Sequence, residues 1–219
     1  MRSKPLFIYG AGGAASYVTW TVELINDVKP TYELLGLIDD RPELHGKIEY
    51  DLPIVSLETA IKQASGAYLV AAIGSPCMRR KLVERAKTGG FKFPVLVDPN
   101  SHISKWVRIG EGTVIVIHEI IGPKIEIGEH VHLTGGYGVI GHHVNIGDYC
   151  TIATGVNIAG HVRVGKNVFI GAGVTIIDGT ADNPLTIADD VFIGAGSLVH
   201  KSITKNGIRV AGVPARHLP

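Results

Sequence analysis

The chain has 219 residues, of which 45% are hydrophobic, and its formal net charge is +1. A charge this close to zero gives no electrostatic reason to bind nucleic acid or a membrane surface. No apolar run approaches the roughly 20 residues of a membrane span, and two cysteines are too few for a disulfide framework. The N-terminus lacks the long apolar segment and cleavage site of a signal peptide. We therefore expect a cytoplasmic protein with no nucleic-acid partner and no membrane insertion.

The first part of the chain alternates short apolar strands with helical stretches. Strands are predicted over residues 6–9, 34–39 and 67–74, with a helix over 14–28 after the first strand and a basic helix after the third. Short buried strands separated by helices are typical of a parallel sheet covered by helices. We therefore expect an α/β domain here.

A glycine-rich turn, Gly10-Ala11-Gly12-Gly13, joins the first strand to the first helix. It lacks the full dinucleotide-binding fingerprint, but it lets a phosphate approach backbone N–H groups at a helix N-terminus. The second strand ends in Asp39 and Asp40, which are well placed to bind a ribose or a base. The pattern indicates a nucleotide site, although both aspartates are also common as turn residues.

From Ile103 onward, apolar residues recur every six positions, and half of them are followed by glycine. The positions in this phase are Ile103, Ile109, Ile115, Ile121, Ile127, Leu133, Ile140, Ile146, Ile152, Ile158, Val164, Ile170, Ile176, Ile187, Ile193 and Val199. This period is the signature of a hexapeptide β-helix. Three hexads make one coil, so residues 18 apart should stack at the strand spacing of about 4.8 Å.

Two slips interrupt the period. Leu133 to Ile140 is seven residues, so one residue is inserted just before a histidine pair, a position that favours a functional role over an incidental one. Ile176 to Ile187 is eleven residues, which predicts a loop over 178–186 with either a functional or an incidental role.

One corner of the predicted β-helix carries histidines. His142 follows a glycine at the third position of its hexad and should point outward, with Gly160 stacked on it 18 residues later. By the same spacing His143 and His161 should stack. A histidine and a backbone N–H on one edge suit a general base and an oxyanion donor.

Several motifs appear in the order found in one known family. They are YGAGG, GLIDD, IGHHVNIGDY, NIAGHVRVGKNVFIGAG and the terminal VAGVPA. The chain thus resembles the bacterial hexapeptide-repeat acetyltransferases that modify sialic acids and nucleotide-linked 4-amino-4,6-dideoxy sugars, including UDP-linked amino sugars and GDP-perosamine. The resemblance implies a Rossmann-like nucleotide-sugar-binding domain over 1–97 and a left-handed parallel β-helix over 98–219. It also implies a homotrimer with sites between subunits, and a place in bacterial O-antigen polysaccharide biosynthesis.

The resemblance assigns roles to individual residues. His142 matches the proposed general base and Gly160 a glycine whose amide faces the thioester carbonyl. Acetyl-CoA would contact Gly160, Thr151, Gly171, Ala172 and Gly194. The nucleotide sugar would contact Gly12, Gly13, Asp39, Asp40, Gly74, Asp98 and His143. Asp98, at the junction of the two domains, is expected either near the acceptor amine or only in a turn before Pro99.

Three positions depart from the family pattern. His143 stands where an acidic residue often follows the catalytic histidine, Thr151 where some members carry a second histidine, and Ala14 where the glycine turn often carries one. The partner that orients His142 is therefore open at this stage.

The expected activity is acetyl transfer from acetyl-CoA to the 4-amino group of a nucleotide-linked sugar, directly and without a metal or an acetyl-enzyme. O-acetylation of a sialic acid uses the same scaffold and base. A zinc enzyme on a β-helix is a more distant alternative, for which histidines are numerous. They are His130, His132, His142, His143 and His161. A non-catalytic sugar-sensing scaffold is a further alternative, if His142 is dispensable.

Overall fold

The structure is a computed structural model that describes residues 3–218. The chain divides into two compact units, Met1–Pro99 and Asn100–Pro219. Among the helices of the described part, none combines the length and hydrophobicity needed to cross a bilayer.

The first unit is an α/β unit. Its strands are β1 (Lys4–Tyr9), β2 (Tyr32–Ile38), β3 (Ile48–Glu49), β4 (Leu52–Val55), β5 (Tyr68–Ala71) and β6 (Leu96–Val97), and its helices are α1 (Gly13–Val28), α2 (Leu57–Gln63) and α3 (Pro76–Thr88), with a 3₁₀ turn at Pro42–Leu44. Five strands form a sheet in the order β3-β4-β2-β1-β5. All neighbours are parallel except β3 and β4.

The predicted strands and first helix of this unit are confirmed, with ends that differ by at most three residues. Strand β1 lies between β2 and β5. Leu6, Phe7 and Ile8 are fully buried, and the strand reads as a continuous apolar run. The α2 helix was not predicted because its seven residues are too short for a clear helical period. Its only sequence signal is the Ser56 cap, which accepts the Thr59 N–H.

The second unit is a three-sided stack of short strands. They are β7 (His102–Ile103), β8 (Val107–Ile109), β9 (Val114–Ile115), β10 (Ile120–Ile121), β11 (Ile125–Ile127), β12 (His132–Leu133), β13 (Val139–Ile140), β14 (Asn145–Ile146), β15 (Thr151–Ile152), β16 (Asn157–Ile158), β17 (Val162–Val164), β18 (Phe169–Ile170), β19 (Thr175–Ile176), β20 (Leu185–Ile187), β21 (Phe192–Ile193), β22 (Leu198–Val199), β23 (Arg209–Ala211) and β24 (Arg216–His217). Within the unit the three faces run β7-β10-β13-β16-β19-β22, β8-β11-β14-β17-β20 and β9-β12-β15-β18-β21-β23-β24. Only the last pair is antiparallel. This is a parallel β-helix.

The predicted apolar positions form the inner columns of this β-helix. Ile140 pairs with Ile158, and Ile158 with Ile176, at the expected 18-residue spacing. Except for Ile103 and Ile109, which are half-buried, all the predicted positions are buried. Each such side chain contributes about 1.5–3 kcal/mol when fully removed from water. Repeated burial in a column therefore fixes the register.

The turn that holds the first slip in the period contacts a buried acid. Glu119 occupies an inward position, is 3% exposed, and accepts the Gly135 N–H. The extra residue lies in the turn over 134–138, where a Cβ on Gly138 would come within 2.9 Å of the Glu119 Oε2. This turn precedes β13, whereas His142 follows it. A functional role for the first slip therefore stays a prediction.

Burial raises the pKa of Glu119 to about 7, and the hydrogen bond from the Gly135 N–H opposes the rise only in part. Desolvation disfavours the charged carboxylate because the interior screens charge poorly. Glu119 is thus a titratable group inside the β-helix, and the periodic sequence gave no reason to expect one there.

Candidate active site

The turn after β13 holds His142 and His143 side by side. Their Nδ1 atoms are 3.0 Å apart, which is hydrogen-bond distance, and one of them must carry the shared proton. The His143 and His161 rings stack with centroids 4.8 Å apart and planes at 14°. The stacking predicted from the 18-residue spacing is therefore confirmed. His143 and His161 both have left-handed backbones, with φ of 54° and 56°.

Gly160 lies directly beneath the His142 ring. A Cβ built on Gly160 would lie 2.8 Å from Nε2 and 2.9 Å from Nδ1 of His142 and would overlap Cε1. Its carbonyl accepts the Gly179 N–H. Within residues 3–218 the Gly160 N–H donates no hydrogen bond to the protein. The ring thus occupies space that only a glycine leaves open.

The surroundings of His143, the neighbour of His142, favour its neutral form. Desolvation lowers its pKa, and the positive charge of Lys124 and the other two histidines lowers it further. A neutral His143 with its proton on Nε2 presents a lone pair at Nδ1. It can therefore accept a hydrogen bond from His142, as a carboxylate would.

A cavity of about 650 Å³ opens beside this corner, lined in part by His143 and His161. Its charged side chains are Lys105, Arg108, Lys124 and Arg163 against a single carboxylate, Glu126. Such a surface favours an anionic ligand.

The loop over 178–186 forms part of the wall of this cavity through Ala181 and Pro184. The Gly179 N–H donates to the Gly160 carbonyl and the Leu185 N–H to the His161 carbonyl. The loop is therefore attached at both ends to the histidine corner, a placement that favours the functional reading of the second slip.

Arg108 and Arg163, two of the basic side chains that line this cavity, were not predicted from the sequence. Arg108, Glu126, Asn145 and Arg163 form one outward column of paired residues. The same period that placed the inward residues could have found this column, had the outward positions been followed as well.

Apart from Gly160, the residues expected to contact acetyl-CoA lie elsewhere on the β-helix. Ala172 is exposed in the turn before β19, and the Gly171 and Gly194 N–H groups donate to the Ile193 and Val210 carbonyls. Thr151 is 2% exposed. Gly160 and His142 lie in turns at the other end of that layer of strands. One chain therefore does not bring Ala172 and His142 to a single edge.

In the first unit, Gly12, Gly13, Asp39, Asp40 and Gly74 line one cavity of about 410 Å³. They do come together as expected. Gly10 makes the close turn possible: its φ is 121°, and a Cβ there would be 2.7 Å from the Ala72 carbonyl oxygen. No residue but glycine fits that position.

Both carboxylates of this cavity already have partners. Asp39, 8% exposed, accepts the Ala11 N–H at 3.1 Å and pairs with Arg41 at 2.9 Å. Its hydrogen bonds, with that from Arg41 the strongest, lower its pKa. Partial burial opposes ionisation of Asp40, but hydrogen bonds from Arg85 and Tyr9 lower its pKa overall. A nucleotide base would have to compete with these contacts.

Asp98 is fully buried, and the residues that line the two cavities do not include it. The structure therefore does not place this carboxylate at either candidate site.

Comparison with known proteins matches both parts of the chain. Residues 5–86 match the PglD N-terminal domain, and residues 143–178 match the bacterial transferase hexapeptide of six repeats. The chain is 31% identical over 217 residues to GDP-perosamine N-acetyltransferase of Escherichia coli O157:H7, an alignment that covers 96% of each protein.

Solved structures agree over the whole length. WeeI from Acinetobacter baumannii AYE superposes with a TM-score of 0.88 at 31% identity, covering 97% of this chain and 99% of that one. A histidine-to-asparagine mutant of perosamine N-acetyltransferase from Caulobacter crescentus, in complex with CoA and GDP-perosamine, gives 0.87 at 26% identity. It covers 98% of this chain and 97% of the other.

Proposed function

Since the chain belongs to the bacterial hexapeptide-repeat acetyltransferases of nucleotide sugars, and is thus an enzyme that uses acetyl-CoA, we propose that it acetylates the 4-amino group of a nucleotide-linked 4-amino-4,6-dideoxy sugar. GDP-perosamine or a UDP-linked relative is the expected acceptor. The observation that carries the proposal is the His142 ring set over Gly160 beside a basic cavity. The named relatives supply the substrate class.

His142 is the proposed general base. Its Nδ1–H donates to the Nδ1 of a neutral His143, 3.0 Å away, which leaves a lone pair on the His142 Nε2. The amine attacks the thioester carbonyl carbon, and Nε2 takes the proton that the amine nitrogen must lose. His143 takes over the orienting role that an acidic residue often has in the family.

Gly160 is the proposed oxyanion donor. The carbonyl oxygen of the thioester becomes negatively charged as the C–N bond forms, and a fixed backbone N–H stabilises that charge without reorganisation. The C–S bond then breaks, the carbonyl re-forms, and the thiolate of coenzyme A takes up the proton held by His142. No acetyl-enzyme is needed.

The first unit is the proposed site of the nucleotide. The N–H groups at the start of α1, near Gly12 and Gly13, suit a diphosphate, and Asp39, Asp40 and Gly74 line the same cavity. Asp40 is the more accessible carboxylate, since its side chain is 47% exposed and that of Asp39 only 10%. A base that binds Asp40 would displace Arg85, its present partner.

The finer features of fold and location form part of the same proposal. Residues 1–97 would be a Rossmann-like nucleotide-sugar domain, and residues 98–219 a left-handed β-helix that assembles as a homotrimer. The enzyme would act in the bacterial cytoplasm, in O-antigen polysaccharide biosynthesis. Neither unit needs a bound metal for the steps above.

The test follows thiol release from acetyl-CoA with GDP-perosamine, a UDP-linked 4-amino sugar and free sialic acid. We expect turnover with an amino sugar and a product that keeps its acetyl group in hydroxylamine, because amides resist it and esters do not. Turnover with sialic acid alone, giving a hydroxylamine-labile product, would replace N-acetylation by O-acetylation. No thiol release with any acceptor would overturn the proposal.

A further inference from the structure

The histidine corner has the composition of a metal site. His142, His143 and His161 each offer a ring nitrogen, and these nitrogens lie within 4.8 Å of one another. Neutral imidazole is a good ligand for Zn²⁺ and its neighbours in the transition series. In the described part of the chain one other cluster of this kind occurs, formed by Glu111, Glu129 and His130.

The spacing of the first two nitrogens already suits one ion. Two nitrogens bonded to zinc at about 2.05 Å lie about 3.3 Å apart at a tetrahedral angle. The His142 and His143 Nδ1 atoms are 3.0 Å apart. The nitrogen that His161 offers lies within 4.8 Å of the other two, and it has to approach them for all three to bind one ion.

The backbone of the cluster is held in place, so that only side chains need to move. The His161 N–H donates to the His142 carbonyl at 3.0 Å, and the His143 N–H donates to the Pro123 carbonyl at 3.2 Å. Adjacent coils thus keep the three Cα atoms at fixed separation. Preorganisation of this kind lowers the cost of binding.

We propose that His142, His143 and His161 form an inhibitory site for a divalent transition metal such as Zn²⁺. The metal replaces the hydrogen bond between the two Nδ1 atoms. A neutral imidazole that binds metal through Nδ1 carries its proton on Nε2. His142 then has no lone pair left for the acceptor amine, and one metal ion stops catalysis.

Only the inhibition rests on the proposed function; the binding site itself does not. Lys124 lines the same cavity as His143 and His161, so its positive charge opposes a bound cation. Two kinds of substitution should therefore change the affinity for the metal in opposite directions: removing a histidine weakens binding, whereas removing the lysine charge strengthens it.

The first experiment is calorimetric titration of the whole protein with Zn²⁺, without acetyl-CoA. We expect His143→Asn and His161→Asn each to weaken binding at least about tenfold, since even loss of a ligand's supporting partner costs 10–100-fold. Lys124→Gln should tighten it severalfold. Glu129→Gln, in the other cluster, should leave it unchanged. Equal affinity in wild type and His161→Asn, or binding lost in Glu129→Gln, would overturn the proposal.

The second experiment measures acetyl transfer in rising Zn²⁺, with each variant scaled to its own metal-free rate. Inhibition should follow the wild-type binding curve, be reversed by EDTA, and shift to higher Zn²⁺ in His161→Asn. Zinc that binds at the histidines without slowing transfer would contradict the inhibitory role. An enzyme inactive in the absence of metal would instead count against the proposed function, while the titration still decides the site.

Discussion

The His142 ring packs so closely on Gly160 that a single methyl group added there would clash with it. A Cβ at position 160 overlaps the ring. Two hydrogen bonds hold the surrounding backbone, one from the Gly179 N–H to the Gly160 carbonyl and one from the His161 N–H to the His142 carbonyl. The ring, not the backbone, is therefore what moves when a side chain is added. A shift of about 1 Å in a catalytic group costs about 10²-fold in rate.

We accordingly predict that Gly160→Ala lowers kcat by about 10² while thermal unfolding changes little. The decisive comparison is a double-mutant cycle, because it separates displacement of His142 from other effects. In a His142→Asn background, Gly160→Ala should add much less to the loss. If the two losses simply multiply, Gly160 acts independently of the histidine.

Glu119 gives a prediction about stability. Its pKa rises from 4.5 to about 7 in the folded protein, so the folded state holds the proton more tightly than the unfolded chain does. The stabilisation from this proton is complete below pH 4.5 and is lost as the pH rises through 7.

The variant Glu119→Gln keeps an acceptor for the Gly135 N–H but cannot ionise. We expect it to match wild type near pH 4.5 and to become more stable above it, by about 1.4 kcal/mol for each pH unit between the two pKa values. Urea unfolding at constant protein concentration, at several pH values, measures the difference. A variant whose relative stability does not change with pH would show that Glu119 titrates normally.

Among the elements, those fixed by periodic burial could be predicted from sequence. The six-residue period placed the β-helix columns, and residues on either side of a slip resume the same register: Ile170 pairs with Ile193 across 23 residues. The contacts that turn residues make were not predictable, because they depend on which groups meet in the folded protein. The Glu119 contact with Gly135 is one example, and the engagement of Asp39 by Arg41 is another.

The loop over 178–186 is the element whose removal the β-helix should tolerate. Deleting residues 180–184 restores a six-residue spacing between Ile176 and Ile187 and removes Ala181 and Pro184 from the cavity wall. We expect a folded protein with a severalfold higher KM for the acceptor, because surface loops tolerate length changes and the lost wall contacts bind ligand. Steady-state kinetics with both substrates checks this. An unchanged acceptor KM would make the loop incidental.

At the scale of the whole molecule, the Ala172 turn expected to bind acetyl-CoA and the proposed base lie apart within one chain. Ala172 and His142 lie in turns at opposite ends of one layer of strands. That layer presents apolar side chains to solvent, with Ile120 45% and Val139 38% exposed. A second copy packed on it would cover these residues and could bring its own turn to His142.

We therefore predict a homotrimer by sedimentation, and a shift to monomer in Val139→Glu, because a charge buried in an interface is costly. The monomeric variant should lose acetyl transfer while keeping its secondary structure. Ile48→Glu, on an exposed residue of the first unit, is the matched control and should change neither property. A wild-type monomer with full activity would refute a shared site.

The turnover of His142→Asn with acetyl-CoA and the best acceptor sugar tests the proposed mechanism most directly. Asparagine keeps a polar side chain but cannot take the proton from the amine. We predict a fall in kcat of about 10²–10⁴-fold, with the KM for acetyl-CoA nearly unchanged because binding does not require the base. A variant that turns over within about threefold of wild type, well below that range, would show that His142 is not the general base.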